Sequence, residues 1–317
     1  MIERDESLDC VKFILILLVV FGHSKHFLTV DNTLTSIKIV KTAMHAVYYF
    51  HMPMFIMLSG YFSKKTVEKK QFTSSILRLA RVFITFHIIW IIIDYIRGDG
   101  TKMPNLLIPS FTLWYIVCLI YWRLLLQYLP HRLTDKNVIM LTISFFVCII
   151  GGFVPVGSIL SIQRSFTFMP CFFIGYYANR YRWLDIVRRI NPLWLVLLSI
   201  GLFIILESFH IDFYGRTPYH TPIDALKRLF FICSSLVISC AFLRICPTWY
   251  SMAQEGRDVL FYYIYHSFML LAVSAIVIAS PIHINGLTVI GVALIVMLFL
   301  YSIKRMPVVG NLFKKML

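Results

Sequence analysis

The chain is written as long apolar runs separated by short polar segments. Runs near 11–29, 42–62, 76–96, 106–129, 138–156, 160–179, 192–210, 226–246, 258–280 and 284–303 each approach the ~20 residues that an α-helix needs to cross a bilayer. The pattern predicts an all-α fold, a polytopic membrane bundle of about ten transmembrane helices. The segments between runs are too short for a soluble module and show no internal repeat, so a single membrane domain over 1–317 is the simplest organisation. Basic residues gather in alternate segments: Lys64, Lys65, Lys69 and Lys70, then Arg180, Arg182, Arg188 and Arg189, then Lys304, Arg305, Lys314 and Lys315. Basic loops stay cytoplasmic, which predicts an N-in, C-in orientation.

Composition excludes some function classes. With 59% hydrophobic and 14% charged residues, the chain is too apolar for a soluble domain of 317 residues. A net charge of +15 is compatible with nucleic acid, but the basic residues sit in short loops where orientation explains them, so no nucleic-acid partner is expected. The seven cysteines form no CxxC pair and lie mostly inside apolar runs, where they read as small buried hydrophobes. No small-residue cleavage site follows the first apolar run, so that run is expected to remain as the first helix.

That first run carries polar chemistry. Asp9, Lys12 and His23 are set in DCVKFILILLVVFGHS. At about 100° and 1.5 Å per residue, Lys12 and His23 share one helix face about 16 Å apart, with Asp9 near the same stripe. Ionisable groups along an apolar helix are costly in lipid and by default mark a functional path. A neutral His23 imidazole, reached past Gly22 and Ser24-Lys25-His26, can act as general base toward a hydroxyl. The competing reading is a histidine bonded between helices, with Asp9 and Lys12 as an interfacial i, i+3 ion pair.

Further candidates follow along the chain. In YYFHMPMFIMLSGYF, His51 precedes Pro53 by two residues, which predicts a second imidazole beside a bend in the span. Ser59-Gly60 there permits close packing or approach of a ligand, and Tyr61 follows directly. Arg78 and Arg81 are three apart on one helix face, and a guanidinium fork suits phosphate oxygens, although orientation signalling accounts for such a pair as well. Trp114, Arg164, Glu207 and the deep-lying His266 could line a site for a hydroxylated substrate, whereas the loop residues around them read equally as solvated. His23 and His26 offer only one i, i+3 pair, so no metal site is expected.

Taken in order, SLDCVKFILILLVVFGHS, FHMPMFIMLSGYF, RLAR and GRDVLFYYIYH resemble the acyltransferase type 3 membrane family, in particular its fucose 4-O-acetylase-like sugar O-acetyltransferases. The resemblance covers nearly the whole chain, and the family usually has arginine where Lys12 stands. It implies ten helices and a bacterial inner (cytoplasmic) membrane location. It also implies transfer of an acyl group, usually acetyl, from cytoplasmic acetyl-CoA or another acyl-CoA to a hydroxyl of a cell-surface or lipid-linked glycan. His23 would be the essential base or nucleophile, with Asp9, Lys12 and His51 in the catalytic set. Arg78 and Arg81 would contact the acyl-CoA donor, joined by Lys12, Ser59 and Tyr61. His51, Tyr265 or freed backbone amides are candidates for steadying the oxyanion that either route forms. From a different class, the same intramembrane charges would suit a transporter or flippase of a lipid-linked sugar.

Overall fold

A computed structural model of the protein describes residues 6–28, 34–68, 72–98, 106–178, 182–309 and 313. Lys69, Lys70, Arg180, Lys314 and Lys315, which entered the orientation argument, lie outside the described residues. The described chain is helical: α1 (Glu6–Ser24), α2 (Thr35–Tyr48), α3 (His51–Glu68), α4 (Phe72–Ile96), α5 (Trp114–Tyr128), α6 (His131–Thr134), α7 (Asn137–Ile150), α8 (Ile162–Tyr177), α9 (Trp183–Arg189), α10 (Pro192–Ser208), α11 (Ile223–Ile245), α12 (Tyr250–Arg257), α13 (Val259–Ala279) and α14 (Gly286–Lys304).

Every apolar run holds a helix, and local chemistry sets several of the boundaries. Asn285 opens α14 by accepting from the Leu287 and Thr288 backbone N–H groups, while the Thr288 hydroxyl accepts from the Asn285 N–H. Asn191 caps α10 with Pro192 in the first turn, where the missing N–H costs nothing. Once formed, α14 is apolar on both faces: Val289, Val292 and Val296 are buried while Leu287, Leu294 and Leu298 are exposed. A helix with no polar face is solvated by lipid rather than water.

Among the described residues, five helices are long and apolar enough to cross a membrane, or six if α9 and α10, bent by 96°, form one span. The remaining runs carry shorter helices: α5 has 15 residues, α7 has 14 and α8 has 16. The run 42–62 is not one helix. It breaks at Tyr49-Phe50, so Pro53 sits in the first turn of α3 and starts a helix instead of bending a span. The run is continuous in hydropathy, which is why the break is invisible to that signal.

The chain forms two compact units, Met1–His51 with Ile245–Leu317, and Met52–Arg244. In the first, α1 packs against α12, α13, α14 and α2. A methyl group added at Gly256 would meet the Asp9 carbonyl oxygen at 1.8 Å, so α12 crosses α1 at backbone contact. In the second unit α5 packs on α4 and α8, and Trp122 donates its indole N–H to the Ser165 carbonyl at 3.1 Å. There α3 and α8 meet backbone to backbone: a Cβ on Gly60 would lie 2.0 Å from the Phe172 oxygen, and one on Gly175 would lie 1.8 Å from that of Met57. Lipid gives helices no hydrophobic reason to associate, so such small-residue contacts carry the packing. Cys10, Cys118, Cys148 and Cys171 are buried as expected, whereas Cys233 is exposed on α11.

Candidate active site

His23 lies near the C-terminal end of α1 within a line of rings in the first unit. Its imidazole stacks on that of His266 from α13, with centroids 5.6 Å apart and planes at 25°. On its other side Tyr48 lies at 6.3 Å, and Tyr48 in turn contacts His51 at 5.3 Å. Gly22 makes room for the Tyr48 ring, whose hydroxyl donates to the Gly22 carbonyl at 2.6 Å. Residues from three separate stretches of the sequence thus converge: His23 at the end of α1, Tyr48 and His51 at the α2–α3 junction, and His266 on α13.

The hydrogen bonds of His266 fix its tautomer. Its Nδ1 faces the carbonyls of Tyr263 at 2.8 Å and Tyr262 at 3.1 Å, so this nitrogen carries the proton and donates. The Nε2 atom is then an acceptor, and it is buried without a partner in a fully buried side chain. An orphaned acceptor in a buried imidazole is rare enough to need an explanation. His51, also buried, points Nδ1 at its own helix-preceding carbonyl of Val47 at 2.8 Å.

Asp9 and Lys12 sit at the opposite end of α1 from His23. They form an i, i+3 ion pair of 2.7 Å, with Asp9 fully buried. Around that end Arg257 reaches Glu6 at 3.0 Å, Lys304 reaches Glu255 at 2.6 Å and Asp258 at 3.0 Å, and the Tyr262 hydroxyl donates to Glu255. The network ties α1, α12, α13 and α14 together. In this structure the aligned polar stripe on α1 therefore resolves into two places, an ionic end and an imidazole end.

The second unit holds Ser59, Tyr61, Arg78 and Arg81 of the residues expected to meet a donor, whereas Lys12 lies in the first. Ser59 on α3 shares a hydrogen bond with the Tyr115 hydroxyl at 2.5 Å and donates to the Phe55 carbonyl at 2.8 Å. One turn later Ser63 accepts from Arg123 Nε at 3.3 Å, and Arg123 Nη1 donates to Ser75 on α4. Arg78, one turn beyond Ser75, is half-buried with its Nε buried and without a partner, whereas Arg81 is exposed. Tyr61 is buried against Phe62. Arg123 escaped the sequence reading, although a charged residue in the middle of IVCLIYWRLLLQ was the signal that marked it.

Of the proposed substrate residues, Trp114 and Arg164 come together, with the guanidinium carbon 4.5 Å from the ring centroid. Leu160 and Ser161, at φ 45° and 55°, turn the chain sharply into α8 and so bring Gln163 and Arg164 into its first turn. Arg164 Nε also donates to the Tyr214 carbonyl at 3.2 Å, strapping the loop after α10 onto α8. Glu207 lies in the last turn of α10, its carbonyl accepting from the His210 N–H at 3.1 Å. His266 belongs to the first unit, beside His23.

These features define a helical membrane protein with a stacked pair of imidazoles, that of His266 fully buried, and with half-buried arginines. The chain belongs to the acyltransferase domain family, which it matches over residues 5–303, a stretch that runs through both units. It is similar to Nodulation protein NolL of Mesorhizobium japonicum, 27% identical over 215 residues, covering 64% of this chain and 56% of that protein. It is also similar to Nodulation protein NolL of Sinorhizobium fredii, 37% identical over 74 residues, covering 23% of this chain and 20% of that protein. The chain thus spans about half or less of the length of these relatives. No solved structure matches it.

Proposed function

We propose that this acyltransferase moves an acetyl group from acetyl-CoA to a hydroxyl of a cell-surface or lipid-linked glycan, with His23 as the general base. The observation that carries the reading is the His23–His266 stack with its orphaned Nε2, in a chain of this family. The acceptor proton passes to His23 as the oxygen bonds to the thioester carbonyl carbon. The tetrahedral intermediate then collapses with cleavage of the C–S bond, and the thiolate of CoA takes the proton back as a thiol. His266 accepts from the acceptor hydroxyl or its neighbour and so orients it. His51 stays in the catalytic set through Tyr48, and Asp9 with Lys12 holds the far end of α1 in place.

Arg78 and Arg81 contact the phosphates of the donor, and Arg123 joins them from α5, flanked by Ser63 and Ser75. Trp114 and Arg164 take part in holding the sugar. Ten spans with both termini cytoplasmic, in a bacterial inner membrane as one membrane domain, complete the proposal and give polysaccharide O-acetylation as its cellular role.

Titration calorimetry of the purified full chain with acetyl-CoA tests donor use. An acetyltransferase binds acetyl-CoA, and Arg78→Ala weakens binding by about tenfold or more, the worth of one charge-assisted hydrogen bond. A chain indifferent to acetyl-CoA and CoA would instead be a transporter of the lipid-linked sugar.

A further inference from the structure

In the second unit, three buried polar atoms without partners border one corner built from α8, α11 and the loop 209–222. Gln163, fully buried in the first turn of α8, spends its amide nitrogen on the Gly151 carbonyl at 3.1 Å, and its Oε1 is left unbonded. The adjoining Gly152 carbonyl accepts from the Tyr219 backbone N–H at 2.8 Å, and the Tyr219 ring lies on the Gly152 Cα, where a Cβ would come within 2.1 Å of Cζ. The Tyr219 hydroxyl is buried without a partner. Over that ring, 4.4 Å from its centroid, lies the guanidinium carbon of Arg228 from α11.

Arg228 is only 7% exposed; its Nη2 donates to the Thr217 carbonyl at 2.6 Å, and its Nη1 is buried with nothing to donate to. A buried guanidinium is expected to face a carboxylate, and among the described residues Arg228 has none. Asp224, one turn earlier on α11, is turned away: Oδ2 accepts from His220 N, Thr221 N and Thr221 Oγ1, and Oδ1 faces Lys227 at 3.7 Å. Burial pushes the Tyr219 hydroxyl up to about 12, so it is a donor at any physiological pH. The corner therefore offers two donors, one of them cationic, beside one acceptor.

We infer that this corner binds an anionic oxygen carried next to a hydroxyl, the anion on Arg228 Nη1 and the Tyr219 hydroxyl, the neighbouring hydroxyl donating to Gln163 Oε1. The shared chemistry is that of an acidic sugar, either a uronate-type carboxylate or a sugar phosphate. In the proposed acetyltransferase it would belong to the acceptor; the binding itself does not depend on that reading.

Calorimetry on the purified full chain with glucuronate, glucose 1-phosphate and glucose tests it. One of the two anions binds at least tenfold more tightly than glucose, and which one names the source of the charge. Tyr219→Phe, which deletes a single oxygen, and Arg228→Met each weaken that anion tenfold or more. Gln163→Glu places a carboxylate in the corner and abolishes anion binding, while loss of the amide donor to the Gly151 carbonyl lowers the thermal midpoint. Equal binding of all three probes, no binding of either anion, or unaltered binding by Tyr219→Phe and Gln163→Glu overturns the site. Acetyl transfer is not the readout, so failure here leaves the role of His23 intact, and failure of transfer leaves this site intact.

Discussion

At His266, hydrogen bonding and burial set one nitrogen apart from the other. A structural histidine would use both nitrogens, whereas this one commits Nδ1 to the Tyr262 and Tyr263 carbonyls and leaves Nε2 buried without a partner in a ring stacked on that of His23. Replacing it by phenylalanine keeps a ring of similar shape in the stack and removes both nitrogens. The fold should survive with little change in melting temperature. Transfer, followed as CoA thiol release at saturating donor, should fall by about ten- to a hundredfold, the worth of one orienting hydrogen bond in the transition state. Equal rates in the variant would reduce His266 to packing. The Asp9–Lys12 pair behaves differently: Asp9→Asn strands a largely buried ammonium, so it should destabilise the protein by about 3–5 kcal/mol, measurable by thermal unfolding in detergent.

Between elements, the crossings of α3 with α8 and of α1 with α12 depend on glycines. Gly175→Ala sets a methyl against the Met57 carbonyl and should cost about 1–3 kcal/mol as the helices separate, read as a lowered thermal midpoint. Gly201 on α10 has nothing within 4 Å, so Gly201→Ala should be neutral or slightly stabilising through helix propensity. The longer helices were legible in the sequence because each lies in an apolar run, even α1 with its charges, whereas the short polar α6, α9 and α12 gave no such signal. What hydropathy could not show were contacts made at a distance. The break between α2 and α3 leaves no trace in an uninterrupted apolar stretch. Arg123 is balanced by serines from two other helices, and Arg228 lies over a tyrosine nine residues back in a loop, neither of which is a local pattern. His23 and His266 were each visible alone, but their stacking is a property of how α1 meets α13.

For the whole molecule, membership of the acyltransferase family and the lipid-facing helices agree on a membrane protein, and its orientation is a global variable open to test. With both termini inside, the loop 209–222 faces outward and the segment around Arg188 faces the cytoplasm. A membrane-impermeant maleimide should then label Arg216→Cys in intact cells and label Arg188→Cys only after lysis; the reverse pattern would invert the orientation. The central claim is tested most directly by mass spectrometry of surface glycans, before and after mild alkali, from cells making the protein or its His23→Ala form. An alkali-labile acetyl group found only with His23 present is the result expected of an O-acetyltransferase using that imidazole as base. Equal acetylation by both forms would contradict it.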